Sequence, residues 1–414
     1  MRHDALPGGV TREGLVDWYR SARARTRELF DLVTPDAYYH RPIALRNPIV
    51  FYEGHLPGFS VNTLVKLAHK RKGVDERLET LFARGIDPED ESSVPAESPW
   101  PSRDEVQAFA AACDALVIDA LENAPLEDEH VPELRDGEAV FAVLEHELMH
   151  QETLLYLLHQ LPYDKKRRSM VSGVGSLGSI AQAKHHRHLT PDTMVRVPAG
   201  TATLGIDHPQ FGWDNEFPQH HVHVPSFTID AYNVTNGDYL GYMEATGAHA
   251  PHFWARGKDH WCFRGMFELQ PLNLDAPVYV THDEASAYAR WKGKRLPTEA
   301  EYDRAAYSQP YEPKGNFDFA HLEPVSAGSY DPNPLGIYDL VGNGWEWTST
   351  IFAGFEGFAP MPSYSLYSTD FFDDAHYVLK GASPVTAKEL VRRSFRNWFR
   401  PGYPYVYATF RCVG

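Results

Sequence analysis

Two histidines one helical turn apart are the residues of this sequence best suited to bind a metal. They are His146 and His150, in the pattern His-Glu-x-x-His, and they lie in an apolar segment at 139–161. Residues four positions apart project from the same face of an α-helix. Two imidazoles in apolar surroundings need partners, which are hydrogen-bonding groups or a shared metal ion. We predict a helix here and favour the metal.

A catalytic metal site usually has three protein ligands and leaves other positions open. The candidate for the third ligand is His55, which stands near the start of another apolar helix in the stretch FYEGHLPGF at 51–59. The chain contains 21 histidines, so the residue pattern alone does not single out His55.

The same His-Glu-x-x-His pattern is typical of zinc peptidases, in which the glutamate activates a metal-bound water. Glu147 would then be the general base of a zinc hydrolase. That interpretation leaves His55 and the aromatic-rich C-terminal half unexplained. A third possibility is a non-catalytic binding protein with a lectin-like scaffold. A metal enzyme with three histidine ligands, a zinc hydrolase and a binding protein all remain open at this point.

The elements that would position these residues follow from hydrophobic periodicity. Apolar residues recur at helical spacing in four N-terminal segments, which are 12–33, 59–71, 103–123 and 137–160. This predicts a four-helix bundle over residues 1–170, with residues 72–102 as a connection. The Gly-, Ser- and His-rich stretch 171–192 predicts a linker.

From residue 193 to 414 the sequence changes to short apolar runs broken by Gly, Pro, Asn and Asp, which predicts short strands. Thr281 and Thr298 are expected N-caps of two helices in this part. The predicted fold class is therefore α+β, with a helical bundle followed by an irregular domain of short strands.

Composition excludes several classes of partner. The formal charge of −17 argues against nucleic acid, which needs clustered Lys and Arg. No stretch approaches the roughly 18–20 apolar residues of a membrane span. The three cysteines, Cys113, Cys262 and Cys412, form no CxxC pair, so we expect a reducing, cytoplasmic location.

Segments 145–153 (EHELMHQET) and 51–62 resemble the helical DinB-like domain of the sulfoxide synthases that make ergothioneine and ovothiol. The resemblance implies that His55, His146 and His150 bind non-haem Fe(II). Three imidazoles on one side of the iron would leave positions for O2 and for the donor's sulfur or selenium.

The C-terminal half resembles the formylglycine-generating-enzyme-like domain, a C-type-lectin-like fold that follows the bundle in the same synthases. Three segments carry this resemblance: RLPTEAE at 295–301, GNGWEWT at 342–348 and FRNWFRP at 395–401. Formylglycine generation itself requires a close pair of reactive cysteines, and Cys262 and Cys412 are far apart in sequence. The resemblance therefore implies a two-domain synthase.

Roles for individual residues are also implied by the resemblance. Asn397 matches the asparagine that contacts trimethylated histidine (hercynine), and Tyr367 matches a tyrosine near that ligand. Tyr364 matches the tyrosine that supplies a proton or electron. Trp398 is a further candidate for substrate binding, because aromatic faces attract a quaternary ammonium.

Two departures from the family pattern concern the substrates: Met149 removes a hydrogen-bonding side chain that would contact substrate, and Phe399 indicates a different chalcogen donor. Met149 replaces a frequent glutamine, and Phe399 replaces the acidic residue of enzymes that use γ-glutamylcysteine. The stretch FYEGHLPGF and the expected lack of a methyltransferase domain most resemble the selenoneine synthase branch. The expected substrates are hercynine, O2 and a selenosugar, with a thiol donor such as cysteine as the alternative.

Overall fold

The computed structural model describes residues 9–83, 100–168 and 193–414. These residues form two compact units. One contains the described residues up to 168 together with His208–Trp213 and Pro360–Tyr367, and the other contains the rest of the C-terminal half. The linker predicted at 171–192 lies outside the described residues, and the predicted domain limits stay a prediction.

The described residues of the helical unit form five α-helices. They are α1 (Arg12–Asp31), α2 (Ile49–Ser60), α3 (Glu76–Phe82), α4 (Arg103–Asn123) and α5 (Glu138–Gln160). Thr11, Asp75 and Ser102 cap the starts of α1, α3 and α4, since each side chain accepts a hydrogen bond from a backbone N–H of the first turn. Helices α1 and α2 each pack against both α4 and α5. The four long helices therefore enclose one apolar core.

Helix α2 differs most from the prediction. It begins ten residues before position 59 and continues into a π-helical segment, Val61–Ala68. Every residue of α2 except Phe59 is buried, so this helix has no polar face and no amphipathic period. Gly54 and Pro57, which usually interrupt helices, also lie inside α2 and argued against a helix here. In the described part of the predicted connection 72–102, which excludes residues 84–99, the chain forms the short helix α3.

The C-terminal unit consists of short strands and three helices. The strands are β1 (Met194–Val197), β2 (Gly200–Leu204), β3 (His220–Val224), β4 (Phe227–Asp230), β5 (Trp254–Arg256), β6 (Trp261–Arg264), β7 (Leu269–Pro271), β8 (Gly344–Ile351), β9 (Tyr377–Ala382), β10 (Asn397–Phe399) and β11 (Ala408–Thr409). The helices are α6 (Asn236–Thr246), α7 (His282–Trp291) and α8 (Glu299–Tyr307).

These strands form small sheets rather than one large one. The hydrogen-bonded orders are β1-β4, β2-β3, β5-β6-β7 and β10-β9-β8-β11, and among the described strands only β8 and β11 pair in parallel. Thr281 and Thr298 form complete capping boxes at the starts of α7 and α8. The combination of a helical unit with a short-stranded one confirms the α+β prediction. Among the described residues, no helix is long and apolar enough to cross a membrane.

Candidate metal centre

Three imidazoles from two helices meet inside the helical unit. His55 comes from α2, and His146 and His150 come from consecutive turns of α5. One ring nitrogen of each lies within 4.8 Å of one ring nitrogen of the other two. Their ring centroids are 4.4 to 5.2 Å apart. The three nitrogens are therefore close enough to bind one ion.

Burial determines the charge of these imidazoles. It lowers the pKa of His55 to about 4, although the hydrogen bond to Phe82 acts in the opposite direction. Burial likewise lowers the pKa of His146 and of His150 well below the ordinary value. Repulsion acts in the same direction as burial: a proton on His150 or His55 would disfavour one on His146, and Arg46 or a protonated His55 would disfavour one on His150. At neutral pH all three rings are uncharged and offer lone pairs.

The hydrogen bonds of the triad are incomplete. The Nδ1 of His55 lies 2.7 Å from the backbone oxygen of Phe82, which places the proton on Nδ1 and the lone pair on Nε2. Within the described parts of the chain, His55 Nε2, His146 Nδ1 and Nε2, and His150 Nδ1 are buried without a hydrogen-bond partner. Unpartnered buried nitrogens are costly. A metal ion bound by one nitrogen of each ring would reduce this cost, so the residues fit such an ion.

The segment Pro360–Tyr367 belongs to the same unit. Its Ser363 backbone N–H donates to Glu138 of α5 over 2.8 Å. The ring of Tyr364 lies 6.3 Å from that of His146 and makes an edge contact with Phe59, with ring centroids 5.2 Å apart. The structure thus brings Tyr364 to the edge of the triad.

Tyr367 is held by contacts with Met149 of α5 and with Trp213, which itself bonds to α5. Its hydroxyl donates to the Sδ of Met149 over 3.3 Å. Trp213 stacks on the Tyr367 ring at 4.1 Å, and the indole N–H donates to Glu145 over 2.9 Å. Glu145 and Met149 flank the two histidines of α5 in sequence, so this cluster lies beside the triad.

Glu147, the residue that a zinc peptidase would use as its base, is engaged elsewhere. Its Oε1 accepts hydrogen bonds from Arg23, over 2.9 Å, and from Thr26, both on α1. Arg23 also donates to Asp114 of α4 over 2.8 Å. All four side chains are at least largely buried. Glu147 therefore joins helices of the bundle, which disfavours its use as a general base toward a metal-bound water.

Asn397 and Trp398 lie on β10 of the C-terminal unit. The Oδ1 of Asn397 accepts a hydrogen bond from the backbone N–H of Trp398 over 2.9 Å. The Trp398 ring stacks on Phe352 with centroids 4.2 Å apart. Both side chains are half-buried, and their assignment to substrate binding stays a prediction.

Two residues of the metal centre were not predicted. Phe59 contacts both His146 and Tyr364, and the spacing of four residues between Phe51, His55 and Phe59 could have indicated that all three share a helix face. Trp213 carries no local signal, because its partners lie far away in the sequence.

Two family models match the chain. The DinB superfamily matches residues 19–154, and the sulfatase-modifying factor enzyme 1-like domain matches residues 180–414. Ergothioneine biosynthesis protein 1 of Neurospora crassa is 27% identical over 90% of this chain and 54% of its own length. The protein of the same name in Schizosaccharomyces pombe is 32% identical over 92% of this chain and 53% of its own length. The chain thus spans about half the length of these fungal relatives.

A bacterial relative matches from end to end. Hercynine oxygenase of Mycolicibacterium smegmatis is 30% identical over 95% of this chain and 96% of its own length. The order of the two matched domains is also that inferred from the sequence motifs. The chain therefore belongs to the hercynine oxygenase family, with a DinB-superfamily helical part followed by a sulfatase-modifying factor enzyme 1-like domain.

Proposed function

We propose that this protein is a non-haem iron enzyme that uses O2 to form a bond between the imidazole carbon of hercynine and a chalcogen atom. His55, His146 and His150 would hold the Fe(II). The observation that carries the proposal is the convergence of three buried, uncharged imidazoles, with ring nitrogens that lack partners in the described structure, in a chain of this family.

The donor set suits the proposed ion. Imidazole nitrogens are good ligands for Fe(II), Zn(II) and other transition metals, so the triad by itself leaves the metal's identity to the chemistry of the family. Bound iron would supply open positions for O2 and for the chalcogen atom of the donor. The protein's contribution is to keep the three rings neutral and to exclude water through the apolar walls of α2 and α5.

Tyr364 is the proposed source of a proton or electron for the reaction. Its ring approaches that of His146 across Phe59, and the bond from Ser363 to Glu138 attaches its segment to α5. Tyr367 is proposed to line the substrate site, with its hydroxyl held by Met149. Asn397 and Trp398 would bind the trimethylated amino acid.

For the donor, we propose a selenosugar, which would make the product a precursor of selenoneine. Phe399 supports a donor other than γ-glutamylcysteine, because its side chain has no carboxylate to form an ion pair with the ammonium group of that donor. A thiol donor such as cysteine is the alternative, and it would give an ergothioneine-type sulfoxide.

The test is reconstitution of the metal-free protein with Fe(II) under anaerobic conditions. Oxygen uptake is then measured with hercynine and, in parallel, a selenosugar, cysteine or γ-glutamylcysteine, and the products are identified by mass spectrometry. We expect uptake that requires hercynine and a donor, with the selenosugar product dominant.

Variants make the same test specific for the triad. His146→Ala should abolish iron binding and oxygen uptake, whereas His130→Ala, at an exposed histidine, should retain both. Retention of zinc without any oxygen uptake would refute the proposal. Uptake with only a thiol donor would refute the selenium assignment alone.

A further inference from the structure

We propose that Phe59 is a positioning residue that fixes the ring plane of His146 by stacking, in the role that a hydrogen bond fulfils for His55. The inference rests on the proposed binding of a metal by the triad. It concerns how one ligand is aimed, and it is independent of whether the donor contains sulfur or selenium.

The two histidines are oriented in different ways. His55 is fixed by its contact with the Phe82 carbonyl, the usual arrangement in which a metal-binding histidine uses its second nitrogen for a hydrogen bond. His146 has no such bond from either nitrogen to any residue that the structure describes. Instead, the Phe59 ring lies flat against it, with centroids 3.6 Å apart and an angle of 13° between the planes.

This stack restricts the motion that matters for ligation. The χ2 torsion of a histidine is broad, so a buried imidazole without a hydrogen bond can turn about its Cβ–Cγ bond and aim its lone pair away from an ion. A phenyl ring packed on one face blocks this rotation, because turning would drive the imidazole edge into the ring. Phe59 thus supplies the directional constraint that His146 otherwise lacks.

Charge makes the stack more favourable when metal is bound. Two neutral rings face to face gain little electrostatically, since both present negative faces. When His146 donates its lone pair to a cation, the imidazole becomes positively polarised, and the negative face of Phe59 then attracts it. The stack should therefore contribute to metal affinity more than to the stability of the metal-free fold.

The position of Phe59 is consistent with a role in the site. Phe51, His55 and Phe59 follow each other at intervals of four along α2, and Phe59 is the one residue of this helix that is not fully buried. It lies in the last turn before the π-helical segment Val61–Ala68, a type of distortion often found at functional sites. Its ring also contacts Tyr364, so this one side chain packs against both His146 and Tyr364.

Phe51 provides the matched control. It stacks on His55 with centroids 4.9 Å apart and an angle of 19°, but His55 is already held by the Phe82 carbonyl. Phe51 is also completely buried, whereas Phe59 is partly exposed. Loss of the Phe51 ring should therefore cost more fold stability than loss of the Phe59 ring, yet disturb metal binding less.

The experiment uses Co(II) as a probe of the metal-free full-length protein. Affinity is measured by competition with a chelator, ligand geometry by the visible d–d spectrum, and fold stability by urea unfolding. We expect Phe59→Leu to weaken Co(II) binding about tenfold, within the range typical of partners of metal ligands, and to alter the spectrum. Phe59→Tyr, which keeps a stacking ring, should restore both to near wild-type values.

Phe51→Leu should unfold at lower urea than Phe59→Leu but keep the wild-type spectrum and an affinity within about threefold, since the hydrogen bond to Phe82 remains. Wild-type affinity and spectrum in Phe59→Leu would overturn the inference, as would equal losses in the two leucine variants. If the wild-type protein failed to bind Co(II), the proposed metal site itself would be wrong. The two failures are thus distinguishable.

Discussion

Two buried polar clusters, one in each unit, show opposite solutions to the same physical problem. In the C-terminal unit, Arg411 and Glu346 are both fully buried and form a bidentate ion pair with two contacts of 2.7 Å. The guanidinium also donates to the backbone oxygens of Asp230, Ala231 and Tyr338. This cluster has a partner for each charge, as a structural ion pair requires.

The histidine triad is equally buried but lacks such partners. Four of its ring nitrogens have none in the described ranges, and burial keeps the rings uncharged. The comparison teaches that burial alone does not distinguish a functional polar cluster from a structural one. What sets the triad apart from the Arg411 cluster is that several unsatisfied nitrogens lie together on adjacent rings.

Helix α5 carries both kinds of residue at adjacent positions. His146 faces the triad, and Glu147, one residue and about 100° further around the helix, is paired with Arg23 and Thr26 of α1. One helix therefore holds the bundle together with one face and presents two histidines of the triad with another.

Removal of the arginine from the satisfied cluster should have the largest effect. Arg411→Met leaves Glu346 buried without its ion-pair partner, so we expect the C-terminal unit to lose about 3–5 kcal/mol of unfolding free energy. Urea unfolding would measure this loss. The matched change Arg20→Met removes an exposed ion pair with Glu122, and it should cost less than about 1 kcal/mol. Similar losses in the two variants would contradict the distinction.

Acidification should affect the triad next most strongly. The folded-state pKa of His55, about 4, lies below its unfolded value of 6.5, so the unfolded chain binds more protons between these pH values. The stability contributed by the neutral ring is complete above about pH 6.5 and decreases as the pH falls toward 4. From pH 7 to pH 5, His55 alone should reduce the unfolding free energy of the metal-free protein by about 2 kcal/mol.

The measurement is urea unfolding of the metal-free protein at several pH values. His146 titrates in the same direction, because burial also lowers its pKa. His146→Leu should therefore show a shallower decrease between pH 7 and pH 5 than the wild type. An equal or steeper decrease would mean that the triad is not the source of the pH dependence.

The sequence predicted one side of the triad better than the other. The helical spacing of apolar and polar residues in α5 gave its bounds within one residue, 137–160 against Glu138–Gln160, and placed His146 and His150 on the same face. By contrast, α2 is apolar on every side, so periodicity could not mark its start, and nothing local singled out His55 among 21 histidines. The assignment of His55 as the third ligand therefore depended on the family resemblance.

The contacts that bring Tyr364 and Trp213 to the helices could not be predicted from local pattern. Ser363 bonds to Glu138 across more than two hundred residues, and Trp213 bonds to Glu145 across 68. Each contact depends on the route of the chain through the C-terminal half, which the propensities of short segments do not encode. The role predicted for Tyr364 came from the family resemblance. Its position beside the triad is seen only in the structure.

Gly54→Ala should combine a moderate loss of stability with a specific effect on the site. A Cβ at this position would overlap the Phe82 ring, and Phe82 is completely buried. Relief requires Phe82 to move, which we expect to cost about 1–3 kcal/mol of unfolding free energy through overpacking.

Because the Phe82 carbonyl fixes the ring of His55, the same movement should weaken Co(II) binding by about tenfold. Gly58→Ala is the control, since its Cβ would make ordinary contacts with Phe109 and Phe82 at 3.7 to 3.8 Å. Chelator competition and urea unfolding measure both quantities in both variants. If Gly54→Ala lost stability with unchanged Co(II) affinity, the Phe82 carbonyl would not be what orients His55, and the triad would be aimed by ring packing alone.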